Sequence, residues 1–344
     1  MRAATFKGVG IPLAVEDRPD PTPDDGELVL RIAYCGICGS DLHATQPGAF
    51  RIPEGTVLGH EFSGEIVHSK AADWHPGDRI AVVPIWECDE CAHRGRCKDG
   101  LGVLCPKSRF IGLALDVPGA YAQRTKIRAA HALRLPDGVS LRDGALLEPL
   151  AVGAHAVERA GSLEGARVLV IGAGPIGLAV MISAKLAGAA AVVVTELNEG
   201  RRERARRLGA TAVIDPSAGP VGEAFAAIAD NGPDVIFECV GVPGVLQQAI
   251  DLSGPRGRLV VVGVCMVNDT ILPLACILKE LQVGFVLGYT PADFERVLRA
   301  IEAGRISADA LISAEIGLDE LPDAFEALRT PTTQCKVLVR PNPD

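Results

Sequence analysis

A chain of 344 residues, 48% of them apolar, is long enough for two domains of about 150 residues, each with its own core. Its net charge of −9 is spread without a basic block, which argues against nucleic acid or an anionic membrane surface as a partner. No apolar run reaches the ~18–20 residues that span a bilayer, and Met1–Gly8 lacks a signal-peptide pattern, so a cytoplasmic location is expected.

Residues 1–149 read as a β-rich first domain. Short alternating runs, Glu27–Ile32 and Phe62–Val67, are separated by turn clusters such as Pro19–Pro23 and Pro76–Asp78. Many short strands with frequent turns suggest a rolled antiparallel barrel that displays irregular loops at its rim.

Within this domain the stretch Cys35 to Glu61 concentrates metal-ligand chemistry. It carries Cys35, Cys38, Ser40, Asp41 and His43, then Gly59, His60 and Glu61. Gly36, Gly39 and Gly59 are expected to let the side chains project from turns rather than from a helix face. Cys38, His60 and a carboxylate can supply three protein ligands and leave a fourth position open, the arrangement of a catalytic zinc. Glu61 is placed either to bind the metal or to orient its partner. Glu148, an acid within Leu146–Leu150, needs a buried partner, and a metal is the most economical one. Cys35 ends a strand and reads as packing. Ser40 and His43 form a candidate proton path. His68, His75, His131 and His155 have no comparable neighbours and read as structural or solvent-facing.

The next cluster is Cys88-x2-Cys91-x5-Cys97-x7-Cys105. Four thiols in one glycine-containing loop fit a closed tetrahedral site for a structural zinc, with His93 a poorer ligand. Cys239, Cys265, Cys276 and Cys335 sit in apolar contexts as small buried hydrophobes.

Residues 150–287 change pattern. Arg167–Ile171, Ala191–Glu196, Ala212–Ile214, Asp234–Glu238 and Arg258–Gly263 are apolar strands separated by helical stretches, the signature of a doubly wound parallel sheet. The first strand runs into Gly172-Ala173-Gly174-Pro175-Ile176-Gly177, a phosphate-cradling turn that opens a helix. Glu196, at the end of the next strand, can accept hydrogen bonds from adenosine ribose hydroxyls. It would repel a 2′-phosphate by on the order of 3 kcal/mol at ~5 Å, less if solvated, which favours NAD over NADP. Arg201 and Arg202 follow it and are read as a solvated helix face, with Arg201 included among the cofactor residues because it could soften that repulsion. Val240, Val262 and Gly263, at the ends of later strands, complete the cofactor set. Residues 288–344 carry a helix, Pro291–Gly304, and a last strand, Lys336–Val339, expected to return to the first domain.

Taken together, these residues resemble the zinc-dependent medium-chain dehydrogenase/reductase (alcohol dehydrogenase) family over essentially the whole chain. The matches are Gly36–His43, Gly59-His60-Glu61, Glu148–Val152 and Gly172–Gly177. Glu148-Pro149-Leu150 is similar to the polyol branch, which includes sorbitol, threonine and 2,3-butanediol dehydrogenases. Ile111–Leu113, Phe237–Cys239 and Gly288–Phe294 look most like the butanediol group. The resemblance implies a GroES-like β-barrel catalytic domain and a Rossmann domain, with the active site in the cleft between them. It implies that Cys38, His60, Glu61 and Glu148 surround the catalytic zinc, either glutamate acting directly or through water. It further implies a Ser40–His43 proton relay, Ile85 and Trp86 near the substrate pocket, and a homodimer or homotetramer. One departure stands out: Arg94 occupies the place where the family's cysteine lobe puts its third thiol, and Cys97 follows three residues later.

The expected activity is zinc-dependent, NAD-linked oxidation of a secondary alcohol or vicinal diol to a ketone. The alternatives are threonine-type amino-alcohol oxidation, a zinc-free reductase and a non-enzymatic NAD- or zinc-responsive protein.

Overall fold

Turn punctuation divides the N-terminal part into short strands. The computed structural model describes residues 1–48, 52–86, 88, 102–330 and 333–342. β1 (Arg2–Thr5) and β2 (Ala14–Asp17) pair antiparallel. β3 (Glu27–Gly36) leads into the short helix α1 (Gly39–Ala44), and β4 (Glu61–Ser69) returns antiparallel to β3. β5 (Arg79–Val82) follows, and β6 (Ile85–Trp86) pairs with β7 (Arg109–Phe110). β8 (Arg124–Arg128), β9 (Ala132–Arg134) and α2 (Leu141–Gly144) complete the segment.

α3 (Leu147–Arg159) precedes the parallel sheet. The strands are β10 (Arg167–Ile171), β11 (Ala191–Thr195), β12 (Ala212–Ile214), β13 (Val235–Glu238), β14 (Arg258–Val261) and β15 (Gln282–Phe285). Their order is β12-β11-β10-β13-β14-β15, every pairing parallel. Between them lie α4 (Pro175–Leu186), α5 (Glu199–Arg207), α6 (Val221–Ala229), α7 (Val245–Leu252) and α8 (Pro273–Leu278). Val168, Leu169 and Val170 of β10 are fully buried, as a strand covered on both faces requires. β15 is different: all four of its residues are exposed, and it forms the edge of the sheet.

The chain then runs through α9 (Pro291–Glu302), β16 (Ile312–Gly317), α10 (Leu321–Ala327) and β17 (Lys336–Arg340). Thr290 opens α9 by donating to the Asp293 carboxylate from both its N–H and its hydroxyl, each at 2.8 Å. β17 pairs with β3 and, in parallel, with β16. The resulting sheet runs β16-β17-β3-β4-β5-β9, with β8 also on β3. Its core joins Leu28, Leu30 and Ile32 of β3 to Phe62, Phe325 and Val337. At roughly 1.5–3 kcal/mol for each fully buried large side chain, this packing fixes where β3 ends.

Two compact units result: Met1–Glu148 with Thr290–Asp344, and Pro149–Tyr289. Among the described residues, no helix is long and apolar enough to cross a membrane.

Candidate metal centre and cofactor loop

The first unit gathers its candidate ligands where β3 gives way to α1. Glycine was expected to keep these side chains on turns, but Gly36 still belongs to β3 and Gly39 begins α1, so Ser40 and His43 stand on a helix. The cause is Asp41, whose Oδ2 accepts from Cys38 N at 3.3 Å and from the Tyr121 hydroxyl at 2.6 Å. Asp41 therefore ties down the first turn, and Cys38 becomes its N-cap. Ser40 and His43, three residues apart, lie on one face of α1.

Cys38, His60 and Glu61 come together there, each offering a ligand atom within 4.8 Å of the others. His60 and Glu61 are buried. Ser40 Oγ donates to Cys38 Sγ at 3.2 Å and lies 3.4 Å from His60 Nε2, so thiol, hydroxyl and Nε2 converge. On the other side of the ring, Nδ1 lies 3.3 Å from Asp41 Oδ1. Neither of those atoms has an aligned hydrogen bond although both are buried. Burial pulls the His60 pKa down, but Asp41 and Cys38 outweigh it and hold it well above its ordinary value. Burial pushes Asp41 up, and His60 and Tyr121 bring it below its ordinary value. The spot thus favours positive charge, and soft sulfur, imidazole and carboxylate donors together fit a zinc ion.

Glu61 opens β4 opposite Gly36. A Cβ on Gly36 would lie 2.0 Å from Glu61 Oε2, so only glycine lets the carboxylate pass. Both carboxylate oxygens accept from Lys336 Nζ at 2.6 Å, and Lys336 also donates to Ile37 O at 3.0 Å. Burial pulls the Lys336 pKa down, but Glu61, Cys38 and Glu148 raise it above its ordinary value. Sequence reasoning missed this lysine. Its one signal was a charge opening the otherwise apolar strand Lys336–Val339. Glu148, buried at the start of α3, does not join the tight group of three, although its charge reaches Lys336. Cys35 is fully buried, and burial pushes its thiol well up, as packing requires.

Of the second thiol cluster, Cys91 and Cys97 lie outside the described residues, as do His93 and Arg94. Cys88 Sγ and Cys105 Sγ are 3.6 Å apart. Two sulfurs at 2.3 Å from a tetrahedral ion would be about 3.8 Å apart, so this spacing suits a shared metal. Ile85 and Trp86 are buried on β6. The Trp86 ring packs against His131 at 5.0 Å, with Arg128 over it at 4.6 Å.

The second unit carries the glycine loop. Gly172 has φ +96°, and a Cβ on Gly177 would lie 2.0 Å from Gly172 O, so the turn can close only on glycine. Gly174 caps α4, with Pro175 and Ile176 in its half-buried first turn, so the helix N-terminus, with its free N–H groups, follows directly on the glycine turn after β10. Glu196 Oε2 accepts from Ala173 N at 3.0 Å and Oε1 from Asn198 N at 2.9 Å, so the carboxylate is fixed against the loop. Arg201 donates its backbone N–H to Asn198 Oδ1 at 3.1 Å. The expected solvated face fails for Arg202. It is only 9% exposed, donates to the carbonyls of Glu196 and Leu197, and pairs with Asp215. The carbonyls of the two residues just past β11 draw it inward. Val240 packs toward Gly172, while Val262 N and Gly263 N both donate to Glu238 O, at 2.8 and 2.9 Å.

Comparison with known proteins agrees with this chemistry. Residues 24–137 match the alcohol dehydrogenase GroES-like domain, and residues 175–303 match the zinc-binding dehydrogenase family. The (R,R)-butanediol dehydrogenase of Bacillus subtilis (strain 168) is 35% identical over 347 aligned positions, covering 96% of this chain and 97% of that protein. Sorbitol dehydrogenase of Gallus gallus is 35% identical, covering 92% and 90%. The crystal structure of 2R,3R-butanediol dehydrogenase from Bacillus subtilis superposes with a TM-score of 0.90 at 34% identity over 99% of each chain. A protein of Sinorhizobium meliloti 1021 crystallised bound to NADP gives 0.91 at 32% identity, again over 99% of each chain. A ligand group of zinc type, a glycine-loop parallel sheet and relatives matched over nearly their full length have one explanation: the chain belongs to the zinc-dependent medium-chain alcohol/polyol dehydrogenase family and is an oxidoreductase acting on alcohols.

Proposed function

We propose that this enzyme oxidises a secondary alcohol or vicinal diol reversibly to the ketone, using NAD. The observation that carries the reading is the group Cys38–His60–Glu61, its imidazole and carboxylate buried and its thiol half-buried, with the Ser40 hydroxyl directed into it. Cys38 Sγ and His60 Nε2 would hold the zinc, Asp41 would orient the imidazole, and Glu61 and Glu148 would act at the metal directly or through water. When bound, zinc supplies Lewis acidity to the substrate hydroxyl, and the nicotinamide accepts the hydride. Ser40 Oγ takes up the hydroxyl proton and hands it on towards His43. Burial lowers the His43 pKa, which keeps the ring neutral and able to accept it. Ile85 and Trp86 would border the substrate. A diol offers a second hydroxyl to the acidic groups, which is the physical reason for assigning polyols.

Glu196, fixed beside the glycine loop, supports NAD over NADP, and Arg202 is too fully engaged to receive a 2′-phosphate. Gly172, Gly174, Pro175, Ile176 and Gly177 would cradle the pyrophosphate. Arg201, Val240, Val262 and Gly263 would line the rest of the dinucleotide. Cys88, Cys91, Cys97 and Cys105 are assigned to a structural zinc. The reading also includes a cytoplasmic location, where thiols stay reduced. It includes a homo-oligomer as well, supported by the exposed Leu274, Ile277, Leu278 and Phe285 beside the open edge of β15.

The test is NADH formation from butanediols, sugar alcohols, threonine and simple secondary alcohols by the zinc-loaded enzyme. Oxidation of a vicinal diol or polyol in preference to the rest is expected. No turnover of any alcohol, or turnover unaffected by zinc removal, would refute the reading.

A further inference from the structure

Glu238 ends β13, is 2% exposed, and has no part in the chemistry above. Its side chain turns back on the loop that follows: Oε1 accepts from Val240 N at 2.6 Å and from Gly241 N at 2.9 Å. Its main-chain carbonyl accepts from Val262 N and Gly263 N, in the loop after β14. One buried residue therefore ties together two loops at the same end of the parallel sheet. The fit leaves no slack. A Cβ on Gly263 would lie 2.3 Å from Gly241 N and 2.8 Å from Glu238 Oε2, and a Cβ on Gly241 would lie 2.5 Å from Val264 N.

Topology says what passes over these loops. The strand order reverses between β10 and β13, and in a doubly wound sheet a dinucleotide lies across that reversal, with one nucleotide over each half. Glu196, ending the run from β11, takes the adenosine side. The loops after β13 and β14 then underlie the other nucleotide, which carries the reactive ring. A buried carboxylate is costly unless hydrogen-bonded, and here Oε1 takes two bonds, both from the loop backbone.

We propose that Glu238 is the positioning residue for the nicotinamide nucleotide half, its carboxylate locking the Val240–Gly241 backbone into one floor with the Val262–Gly263 backbone that its main-chain carbonyl holds. This inference rests on the dinucleotide reading above. ADP-ribose, which has the adenosine half and the pyrophosphate but no nicotinamide, separates it from a general structural role.

The experiment titrates NADH and ADP-ribose against the full-length zinc-loaded enzyme and three variants. Glu238→Gln keeps a carbonyl oxygen for both N–H groups and is expected to bind NADH within about threefold of wild type. Glu238→Asp keeps the charge but falls one methylene short, and its NADH affinity should drop about tenfold. Glu238→Leu should lose more, about 30-fold, with ADP-ribose affinity within threefold of wild type in every variant. Should the leucine variant fail to fold, the aspartate and glutamine variants carry the same comparison. Unchanged NADH binding in the aspartate variant, or equal losses for NADH and ADP-ribose, would overturn the assignment. Failure of the wild type to bind either ligand would instead overturn the dinucleotide reading itself.

Discussion

Replacing Lys336 with methionine tests the tie that holds Glu61. The ammonium contacts both carboxylate oxygens at 2.6 Å, and the two side chains are 2% and 0% exposed. Salt cannot screen such a pair, and water cannot replace the lost partner. Removing one member of a buried pair costs about 3–5 kcal/mol, a large share of the roughly 5–15 kcal/mol that stabilises a domain. Metal gives Glu61 a second cation, so the loss should be full in metal-free enzyme and smaller with zinc. Trp74 and Trp86, the only two tryptophans, both lie in the Met1–Glu148 segment, so tryptophan fluorescence in urea reports this unit. Lys336→Met should lower its stability by about 3–5 kcal/mol without zinc, and adding Glu61→Gln should recover most of that through their coupling. A metal-free Lys336→Met enzyme within about 1 kcal/mol of wild type, or no recovery in the double variant, would refute the argument.

Three further outcomes are expected. Burial, then Arg128, depresses the His131 pKa from 6.5 to about 4. The unfolded chain therefore binds a proton that the folded one does not: the stabilisation is complete above pH 6.5 and is lost as pH falls towards 4, by on the order of 2 kcal/mol at pH 5. Urea unfolding at pH 7 and pH 5 should show that slope, and His131→Leu should flatten it; equal slopes would remove His131 as the cause. His43→Ala should slow alcohol oxidation roughly 10²-fold, the low end for a positioned proton-transfer group, with partial recovery in added imidazole. An unaffected rate would exclude His43 from the proton path. Glu196→Gln keeps an oxygen for Ala173 N but removes the charge, and should shift the NAD-to-NADP preference about 10- to 100-fold towards NADP, the equivalent of ~1.4–3 kcal/mol. Steady-state kinetics with both cofactors measure that ratio, and an unchanged ratio would mean Glu196 does not set it.

Local chemistry made much of this protein legible from its sequence. Cys38, His60 and Glu61 declare themselves by residue type, and Gly172–Gly177 by its place between an apolar run and a helix. The parallel strands of the second unit are short apolar runs whose period leaves little choice, and the β-rich start is punctuated by proline and glycine. Only the tertiary structure could decide which distant groups meet. Lys336 reaches Glu61 across 275 positions because β17 pairs with β3, placing Leu338 opposite Gly36 and Val339 opposite Cys35. Tyr121 finds Asp41 across 80 positions, and that bond helps turn an expected loop into α1. Arg202 reads as a surface charge on its helix until the carbonyls just past β11 draw it inward, and Glu238 reads as a strand end until two loops close on it. Propensity and spacing act over a few residues, whereas a buried charge takes its partner from whatever strand register brings within reach.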